Sequence, residues 1–255
     1  MRLNISITAM ALLTVFSASH ASRAEETNYL QIDPFGKVYI VNAKHAKQAN
    51  ELVIFMSGDG GWYGGAITMA DEVAKLGAFV IGIDIPKYRH NLKYIASSCH
   101  DSTEHFGKLI DEVRYHYGIA PTIRVTLAGY SAGASWAYAI LTMADSHRYQ
   151  GAVSLGFCKD IEIDRPLCET NLYRQSHNAV DGNYAIQPSL NLPDKWFDLH
   201  GEQDTVCPYA EARDFIAAIS TGADFISLPH VGHGFGHMKD WLPQMQSAFA
   251  EVWRH

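Results

Sequence analysis

Residues Gly129–Gly133 (GYSAG) decide the fold. They follow the apolar run Ile123–Leu127 and lead into Ala132–Ala144, whose apolar residues recur at helical spacing. The pattern G-x-S-x-G between a strand and a helix is typical of a nucleophile elbow, a sharp turn that lifts a serine hydroxyl out of a parallel sheet. The first amide groups of the helix then lie beside that hydroxyl and stabilise developing negative charge. We therefore predict Ser131 as a nucleophile.

Strand-like and helix-like patterns alternate along the rest of the chain. The predicted strands are Lys37–Val41, Leu52–Met56, Phe79–Ile83, Ile123–Leu127, Ala152–Leu155, Trp196–Leu199 and Phe225–Leu228. The predicted helices are Ile67–Leu76, Thr103–Tyr117, Ala132–Ala144, Tyr209–Ile219 and Trp241–Trp253. This alternation predicts an α/β fold with a mostly parallel central sheet and helices on both faces. Gly156–Lys195 is the one long segment without a periodic pattern, and we expect it to be irregular, as a short lid or a substrate-facing loop.

Composition limits the class of protein. The chain has 255 residues, of which 47% are hydrophobic and 18% charged, as in ordinary globular proteins. Because neither repeats nor low-complexity linkers appear, residues 25–255 are expected to form one domain. The net charge of −7 lacks the basic excess that binding to a phosphate backbone requires, so we expect no nucleic-acid partner.

The N-terminal residues 1–24 are typical of a secretory signal peptide. Arg2 precedes the mostly apolar stretch Ile5–Phe16, and small residues follow it. Cleavage is expected after Ala21 or after Ala24. An uncleaved membrane anchor is the alternative, but a span needs about 20 apolar residues and this stretch is shorter. The sequence therefore predicts export.

Four cysteines lie in the exported part: Cys99, Cys158, Cys168 and Cys207. An even number of cysteines in an oxidising compartment predicts disulfides, and the sequence leaves the pairing open. We favour a bridge between Cys158 and Cys168, because they flank a short stretch that reads as a loop. Four free thiols are the alternative, and a zinc site is disfavoured because no C-x-x-C spacing occurs.

A serine nucleophile needs a base and an acid, which follow the serine in this kind of fold in the order acid, then histidine. Asp204 comes shortly after the strand Trp196–Leu199, and His233 follows the last strand. Both should emerge at the same sheet edge as Ser131, so we predict that they complete a catalytic triad. The alternatives are Glu202, Asp160 and Asp164 for the acid, and His230 and His237 for the base.

A second glycine-rich loop, Ser57–Trp62 (SGDGGW), follows Leu52–Met56. It lacks the G-K-[ST] ending of a nucleotide-binding loop. Its position matches the loop that supplies one oxyanion-hole amide in hydrolases of this kind. We predict that this amide belongs to Asp59 or Gly60, and that Ala132 supplies the other. A plain structural turn is the alternative.

No metal or cofactor is expected. His233 and His237 are four residues apart, a spacing that serves zinc when both lie on one helix. Glycines interrupt the segment between them, at Gly234 and Gly236, so a continuous helix is not expected there.

Four motifs together resemble one known family. They are Ser57–Trp62 (SGDGGW), Gly82–Tyr88 (GIDIPKY), Gly129–Ala134 (GYSAGA) and Leu228–Phe235 (LPHVGHGF). The combination resembles the VirJ and AcvB family of bacterial virulence proteins. The resemblance implies an α/β-hydrolase fold and a periplasmic serine hydrolase, with Ser131 as nucleophile and His233 as base. Some AcvB-like members cleave aminoacyl-phosphatidylglycerol, and VirJ is linked to type IV secretion.

The function expected from the sequence is therefore that of a periplasmic serine esterase. Its candidate substrate is an aminoacyl lipid, which would be reached by peripheral contact with the membrane. Asp59 is the candidate partner of a substrate ammonium group, unless it faces solvent. A small soluble ester is the alternative substrate. The alternative function is a non-catalytic binding or chaperone component of a type IV secretion or virulence system.

Overall fold

The structure is a computed structural model, and it describes residues 29–254. The predicted signal peptide and its two cleavage points, after Ala21 and Ala24, lie outside the described residues. Within residues 29–254, no helix is long and apolar enough to cross a membrane.

A large, mostly parallel sheet forms the centre of the fold. The strands are β1 (Tyr29–Ile32), β2 (Gly36–Val41), β3 (Leu52–Met56), β4 (Phe79–Ile83), β5 (Val125–Tyr130), β6 (Gly151–Leu155), β7 (Asp160–Ile161), β8 (Arg174–His177), β9 (Tyr184–Gln187), β10 (Asn191–Gly201) and β11 (Thr221–Leu228). Eight of them pair in the order β1-β2-β4-β3-β5-β6-β10-β11. The hairpin β1-β2 and the pair β2-β4 are antiparallel, and every pair from β4 to β11 is parallel.

Helices cover both faces of this sheet. They are α1 (Gly65–Lys75), α2 (Ile85–Leu92), α3 (Ser102–Tyr117), α4 (Ala132–Met143), α5 (Tyr209–Ala217) and α6 (Leu242–Val252). Helices α1 and α6 bury apolar side chains such as Met69 and Phe249 on one face. Helices α2 to α5 bury side chains such as Phe106, Trp136 and Phe215 on the other. The central strands β3 to β6 are buried almost throughout, because both of their faces are covered.

The predicted fold class is confirmed, with differences at the margins. All seven predicted strands and all five predicted helices exist, and β3 and β4 have the predicted bounds. Helix α2 was not predicted, although Asp84 caps it by accepting the amide hydrogen of Lys87. Its buried residues Ile85, Tyr88 and Leu92 do recur at helical spacing. Strand β1 was also missed, because it is a short edge strand with little apolar pattern.

The expectation that Gly156–Lys195 is irregular is wrong in part. The segment contains a second sheet of three short antiparallel strands in the order β7-β9-β8, and β10 already begins at Asn191. These strands have two to four residues, and β8 (RQSH) is polar. Strands this short carry no periodic signal, so only their pairing identifies them.

The preferred disulfide, Cys158 with Cys168, is wrong. The structure contains the bridges Cys99–Cys168 and Cys158–Cys207. Cys158 follows β6 and Cys207 follows β10, and these two strands are neighbours in the sheet. The sheet topology therefore brings together two cysteines that are 49 residues apart, and closeness in sequence was not a guide to the pairing.

Candidate active site

Ser131 lies at the turn between β5 and α4 with φ 56° and ψ −123°, a backbone conformation that residues other than glycine rarely adopt. The turn is tight. A side chain at Gly129 would place its Cβ 2.0 Å from the carbonyl oxygen of Gly133, and one at Gly133 would place its Cβ 2.1 Å from the carbonyl oxygen of Met56. Both glycines of the motif are therefore required by close backbone contacts, and the serine is held in one orientation.

The structure brings Ser131, His233 and Asp204 together. The Nε2 atom of His233 lies 2.8 Å from the Oγ atom of Ser131, and its Nδ1 atom lies 2.7 Å from Oδ2 of Asp204. The imidazole thus bridges the hydroxyl and the carboxylate. The three residues follow the ends of β5, β10 and β11, at one edge of the sheet. Such edges, beyond the carboxyl ends of parallel strands, are where open α/β sheets hold their sites.

Asp204 is held as a carboxylate. Its Oδ1 atom accepts the backbone N–H groups of Val206 and Cys207, each at 2.9 Å, and its Oδ2 atom faces His233. Burial disfavours its charged form, but the hydrogen bonds from His233 and the two amides outweigh burial and lower the pKa of Asp204. The acid is therefore ionised and fixed opposite the imidazole.

Tyr130 fixes the loop that carries His233. Its hydroxyl donates to the backbone carbonyl of His233 at 2.9 Å, and the two rings lie 5.5 Å apart between centroids. The residue preceding the serine in the G-x-S-x-G pattern thereby holds the histidine that is 103 residues further along the chain. Sequence reasoning missed this contact, because the motif leaves that position unspecified.

The alternative acids and histidines have other surroundings. His230 is exposed, and His237 precedes a short 3-10 turn; the hydrogen bond to Ser131 Oγ comes from His233 instead. Glu202 accepts a serine hydroxyl on β11, and Asp164 lies beside a buried histidine. Asp160 lines the pocket in front of Ser131 but accepts an asparagine amide instead of facing an imidazole. Among these candidates, only Asp204 and His233 lie in line with the serine.

The loop Ser57–Trp62 lies against the serine. A side chain at Gly58 would place its Cβ 3.0 Å from Cβ of Ser131. Asp84 shapes the loop, because its Oδ2 atom accepts the amide of Trp62 at 3.1 Å while its Oδ1 atom caps α2. The GIDIPKY motif therefore supports the SGDGGW motif, and this link could not be predicted from the sequence because it depends on a contact between two separate loops.

The two predicted oxyanion donors, Ala132 and Asp59, directly follow Ser131 and Gly58, the two residues that lie against each other. Ala132 is the first residue of α4, where the backbone N–H has no acceptor within the helix. Asp59 follows Gly58 and lines the same pocket as Ser131. Their role as donors remains a prediction.

A cavity of about 400 Å³ opens in front of Ser131. The bridge Cys158–Cys207 forms part of its wall, and the loops around the small sheet form another part. The predicted substrate-facing role of that segment fits this position. The charged lining residues are Asp59, Lys159, Asp160, Asp181 and Glu211.

Two of these carboxylates already have cationic partners. Asp59 lies 3.2 Å from a nitrogen of Arg89, and Glu211 lies 2.7 Å from Nζ of Lys159. Asp160 and Asp181 have neutral partners within the described part of the chain, the side-chain amides of two asparagines. The cavity therefore has an excess of negative charge. Asp59, the candidate partner of a substrate ammonium group, is engaged by Arg89.

No group of three or more histidine, cysteine, aspartate or glutamate side chains in residues 29–254 is arranged to hold a metal ion. Ser131, His233 and Asp204 are joined by a chain of hydrogen bonds that ends on a carboxylate.

Comparison with known proteins agrees with the geometry. Residues 50–163 match the family described as bacterial virulence protein (VirJ). The VirJ resemblance is confirmed over this segment. It contains three of the four motifs that carried the resemblance, including Ser131, whereas Asp204 and His233 lie beyond it. No curated protein matches the chain.

Solved structures share the fold of this VirJ-like chain. The esterase Est1E from Butyrivibrio proteoclasticus superimposes with a TM-score of 0.58 at 14% identity, over 89% of this chain and 98% of its own. An α/β serine hydrolase without a lid from Xanthomonas campestris superimposes with a TM-score of 0.52 at 16% identity, over 90% of this chain and 95% of its own. Esterase 2 from Thermogutta terrifontis superimposes with a TM-score of 0.55 at 20% identity, over 88% of this chain and 91% of its own. The fold is that of the α/β-hydrolases.

Proposed function

We propose that the protein is a serine hydrolase that cleaves carboxylic esters. The observation that carries this proposal is the unbroken line from Ser131 Oγ through the His233 imidazole to the Asp204 carboxylate, with distances of 2.8 and 2.7 Å. Such a line activates a hydroxyl that is otherwise a weak nucleophile. The esterase names of structures with the same fold support the same class of reaction.

In the proposed mechanism, Nε2 of His233 takes the proton of Ser131 Oγ as the oxygen attacks the ester carbonyl carbon. Asp204 stabilises the imidazolium that forms. The backbone amides of Ala132 and Asp59 donate hydrogen bonds to the carbonyl oxygen, on which negative charge develops. The imidazolium then protonates the leaving alcohol, which departs and leaves an acyl-serine. Water, deprotonated by His233, hydrolyses that acyl-enzyme and restores the serine.

Labelling with a fluorophosphonate probe tests this proposal, because the probe reacts with an activated serine. The wild-type protein should be labelled and should hydrolyse p-nitrophenyl acetate. Ser131→Ala should abolish labelling and lower kcat by roughly a thousandfold or more while the circular dichroism spectrum stays the same. Ser247→Ala, at an exposed hydroxyl on α6, is the matched control and should behave as wild type.

Loss of labelling in Ser247→Ala, or labelling that persists in Ser131→Ala, would contradict the assignment. A folded wild-type protein that is neither labelled nor hydrolytic would favour the non-catalytic role in a secretion or virulence system.

For the substrate, we propose an ester that carries a cation close to the scissile bond, such as the aminoacyl ester of phosphatidylglycerol. The support comes from the excess of carboxylates in the cavity. Asp160 and Asp181 have only neutral partners there, so they are better placed than Asp59 to receive an ammonium group. Opposite charges in such a cleft attract the substrate before it reaches the serine. The lipid would be reached by peripheral contact with the membrane.

Purified lipids decide between this substrate and a small soluble ester. Lysyl-phosphatidylglycerol in mixed micelles should release lysine with wild-type protein, and Asp160→Asn with Asp181→Asn should raise KM about tenfold for it. The same double variant should leave p-nitrophenyl acetate hydrolysis unchanged. Asp111→Asn, at an exposed position on α3, is the control. If wild-type protein cleaves the nitrophenyl ester but not the lipid, the lipid substrate is wrong and the hydrolase assignment stands.

We also propose that the protein works in the periplasm. Two disulfide bridges in the structure are typical of an oxidising compartment outside the cytoplasm. N-terminal sequencing of the protein recovered from a periplasmic extract should begin at Ser22 or Glu25. A cytoplasmic protein that begins at Met1 would contradict both the location and the cleavage.

A further inference from the structure

A second histidine–aspartate pair lies behind the triad. Asp198 and His200 are two residues apart on β10, so both point to the same face of the sheet. Both side chains are fully buried. The Nδ1 atom of His200 lies 2.9 Å from Oδ2 of Asp198, and its Nε2 atom lies 2.8 Å from the carbonyl oxygen of Cys207. The proposed mechanism does not use this pair.

The hydrogen bonds limit the positions of the protons in this pair to two arrangements. A carbonyl oxygen only accepts, so Nε2 of His200 must carry a proton. The remaining proton lies between Nδ1 and Oδ2 of Asp198, whose Oδ1 atom accepts the amide of Phe157 at 3.2 Å. The pair is therefore either an imidazolium with a carboxylate or a neutral imidazole with a protonated acid.

The surroundings favour the imidazolium. Oδ2 of Asp204 lies 3.5 Å from Nε2 of His200, so the ring stands between two carboxylates. Burial opposes both charges of the pair and also raises the pKa of Asp198, which on its own would favour the protonated acid. For the ring, the hydrogen bonds to Asp198 and Cys207 and the charge of Asp204 outweigh burial and raise the pKa of His200. The ring carries more weight in this balance, because it stands between two carboxylates. The other elements packed against the ring supply two aromatic rings, Phe225 of β11 at 5.9 Å and Tyr209 of α5 at 6.1 Å between centroids.

We propose that His200, as an imidazolium held by Asp198, is a positioning residue for Asp204. It acts in two ways. Its charge lies behind Oδ2 of Asp204 and keeps that carboxylate ionised and turned toward His233. Its Nε2–H also holds the Cys207 peptide, whose own N–H binds Oδ1 of Asp204 at 2.9 Å. This inference rests on the proposed function, because Asp204 matters only if the triad is catalytic.

Asp198→Asn separates the charge from the geometry. The asparagine Oδ1 atom can still accept from Phe157, and its Nδ2–H group can donate to Nδ1 of a neutral His200, whose Nε2–H still binds Cys207. The hydrogen bonds are kept, whereas the imidazolium and the Asp198 carboxylate that balances it are both replaced by neutral groups. Asp194→Asn is the control, because Asp194 also makes a 2.8 Å contact with a histidine, the exposed His147, near the opposite ends of the strands.

The pH profile of kcat/KM for p-nitrophenyl acetate is the readout. The His200 ring stands between Asp198 and Asp204, so the lost cation is nearer to His233 than the lost carboxylate is. A proton on His233 is then repelled less, and Asp198→Asn should move the acid limb to higher pH by about half a unit. Its plateau kcat should fall about fivefold with KM within about twofold. His200→Gln, which keeps a donor but no charge, should shift the limb in the same direction. Asp194→Asn should reproduce the wild-type profile. A purely structural pair would lower thermal stability and leave the limb unmoved, and that result would overturn the proposal.

A measurement on the wild-type protein removes the dependence on folding of the variants. The ¹⁵N shifts of His200 should show both ring nitrogens protonated at neutral pH, whereas a neutral imidazole would overturn the proposal. This measurement needs no turnover. If the wild-type protein is neither labelled by fluorophosphonate nor hydrolytic, the proposed function fails, and the charge of His200 is still decided.

Discussion

At the scale of single residues, the choice among three histidines is decided by the loop after β11. His230, His233 and His237 lie within eight positions, yet only His233 reaches the Oγ atom of Ser131. The backbone of His233 is held by the hydroxyl of Tyr130, and its ring is held by Asp204. His233 is thus held at both its main chain and its side chain, as the proposed role of base requires.

We therefore expect the three alanine variants to differ sharply. His233→Ala should lower kcat for p-nitrophenyl acetate by roughly a thousandfold, because no other group is placed to take the serine proton. His230→Ala and His237→Ala should stay within about threefold of wild type, since neither side chain has a contact with the serine. Stopped-flow or steady-state rates measure this. Damage from His237→Ala comparable to that from His233→Ala would show that the last loop rearranges in solution.

The sequence predicts these residues unevenly, and for a physical reason. Ser131, Asp204 and His233 follow three strands of one parallel sheet, and the carboxyl ends of such strands meet at one edge. Their meeting can therefore be inferred from strand pattern and order alone. Tyr130 donates to the backbone of a segment 103 residues away, and His200 contacts the backbone carbonyl of the loop after its own strand; neither hydrogen bond leaves a trace in local patterning.

At the scale of elements, the two disulfides join different parts of the fold. Cys158–Cys207 ties the end of β6 to the segment after β10 and forms part of the cavity wall. Cys207 also binds the catalytic candidate Asp204 through its N–H group. Cys99–Cys168 ties the segment before α3 to the segment before β8, and neither cysteine lines the cavity in front of Ser131. The first bridge thus has a connection to the site that the second lacks.

Replacing each pair by serines should separate stability from activity. Cys99→Ser with Cys168→Ser and Cys158→Ser with Cys207→Ser should each lower the free energy of unfolding by about 2–4 kcal/mol, because each bridge closes a long loop. At a temperature where both variants are folded, only the second pair should lower kcat, by about tenfold. Equal kcat in the two variants would mean that the loop of Asp204 holds its place without the bridge.

The elements themselves follow the same logic as the residues. Buried strands such as β3 and β4 were predicted with their bounds, because continuous apolar runs mark strands covered on both faces. The small sheet around β9 and both disulfide pairings were not, because they depend on which segments meet across the fold. Apolar patterning records burial, and it does not record partners.

At the scale of the whole molecule, charge is the property that bears on substrate choice. The chain has a net charge of −7, and removal of residues 1–24 with Arg2 and Arg23 leaves 18 basic against 27 acidic side chains, a net charge of −9. Such a molecule repels anionic lipid headgroups and attracts cationic ones, such as those that carry a lysyl ester. The carboxylates of the cavity concentrate this preference near Ser131.

Ionic strength should therefore distinguish a cationic substrate from a neutral one. Solvent-exposed charges are screened over about 30 Å at 0.01 M salt and about 6 Å or less at 0.3 M. We expect kcat/KM for a water-soluble lysine ester to fall about tenfold between these conditions, whereas kcat/KM for p-nitrophenyl acetate should stay within about twofold. Because Asp160 and Asp181 line the cavity and lie outside the line from Ser131 to Asp204, the loss should appear mainly in KM rather than in kcat. Asp160→Asn with Asp181→Asn should flatten the salt dependence. If kcat/KM fell equally for the two esters, salt would be acting on the fold or on the candidate triad. That result would show that the negative cavity has no part in selecting the substrate.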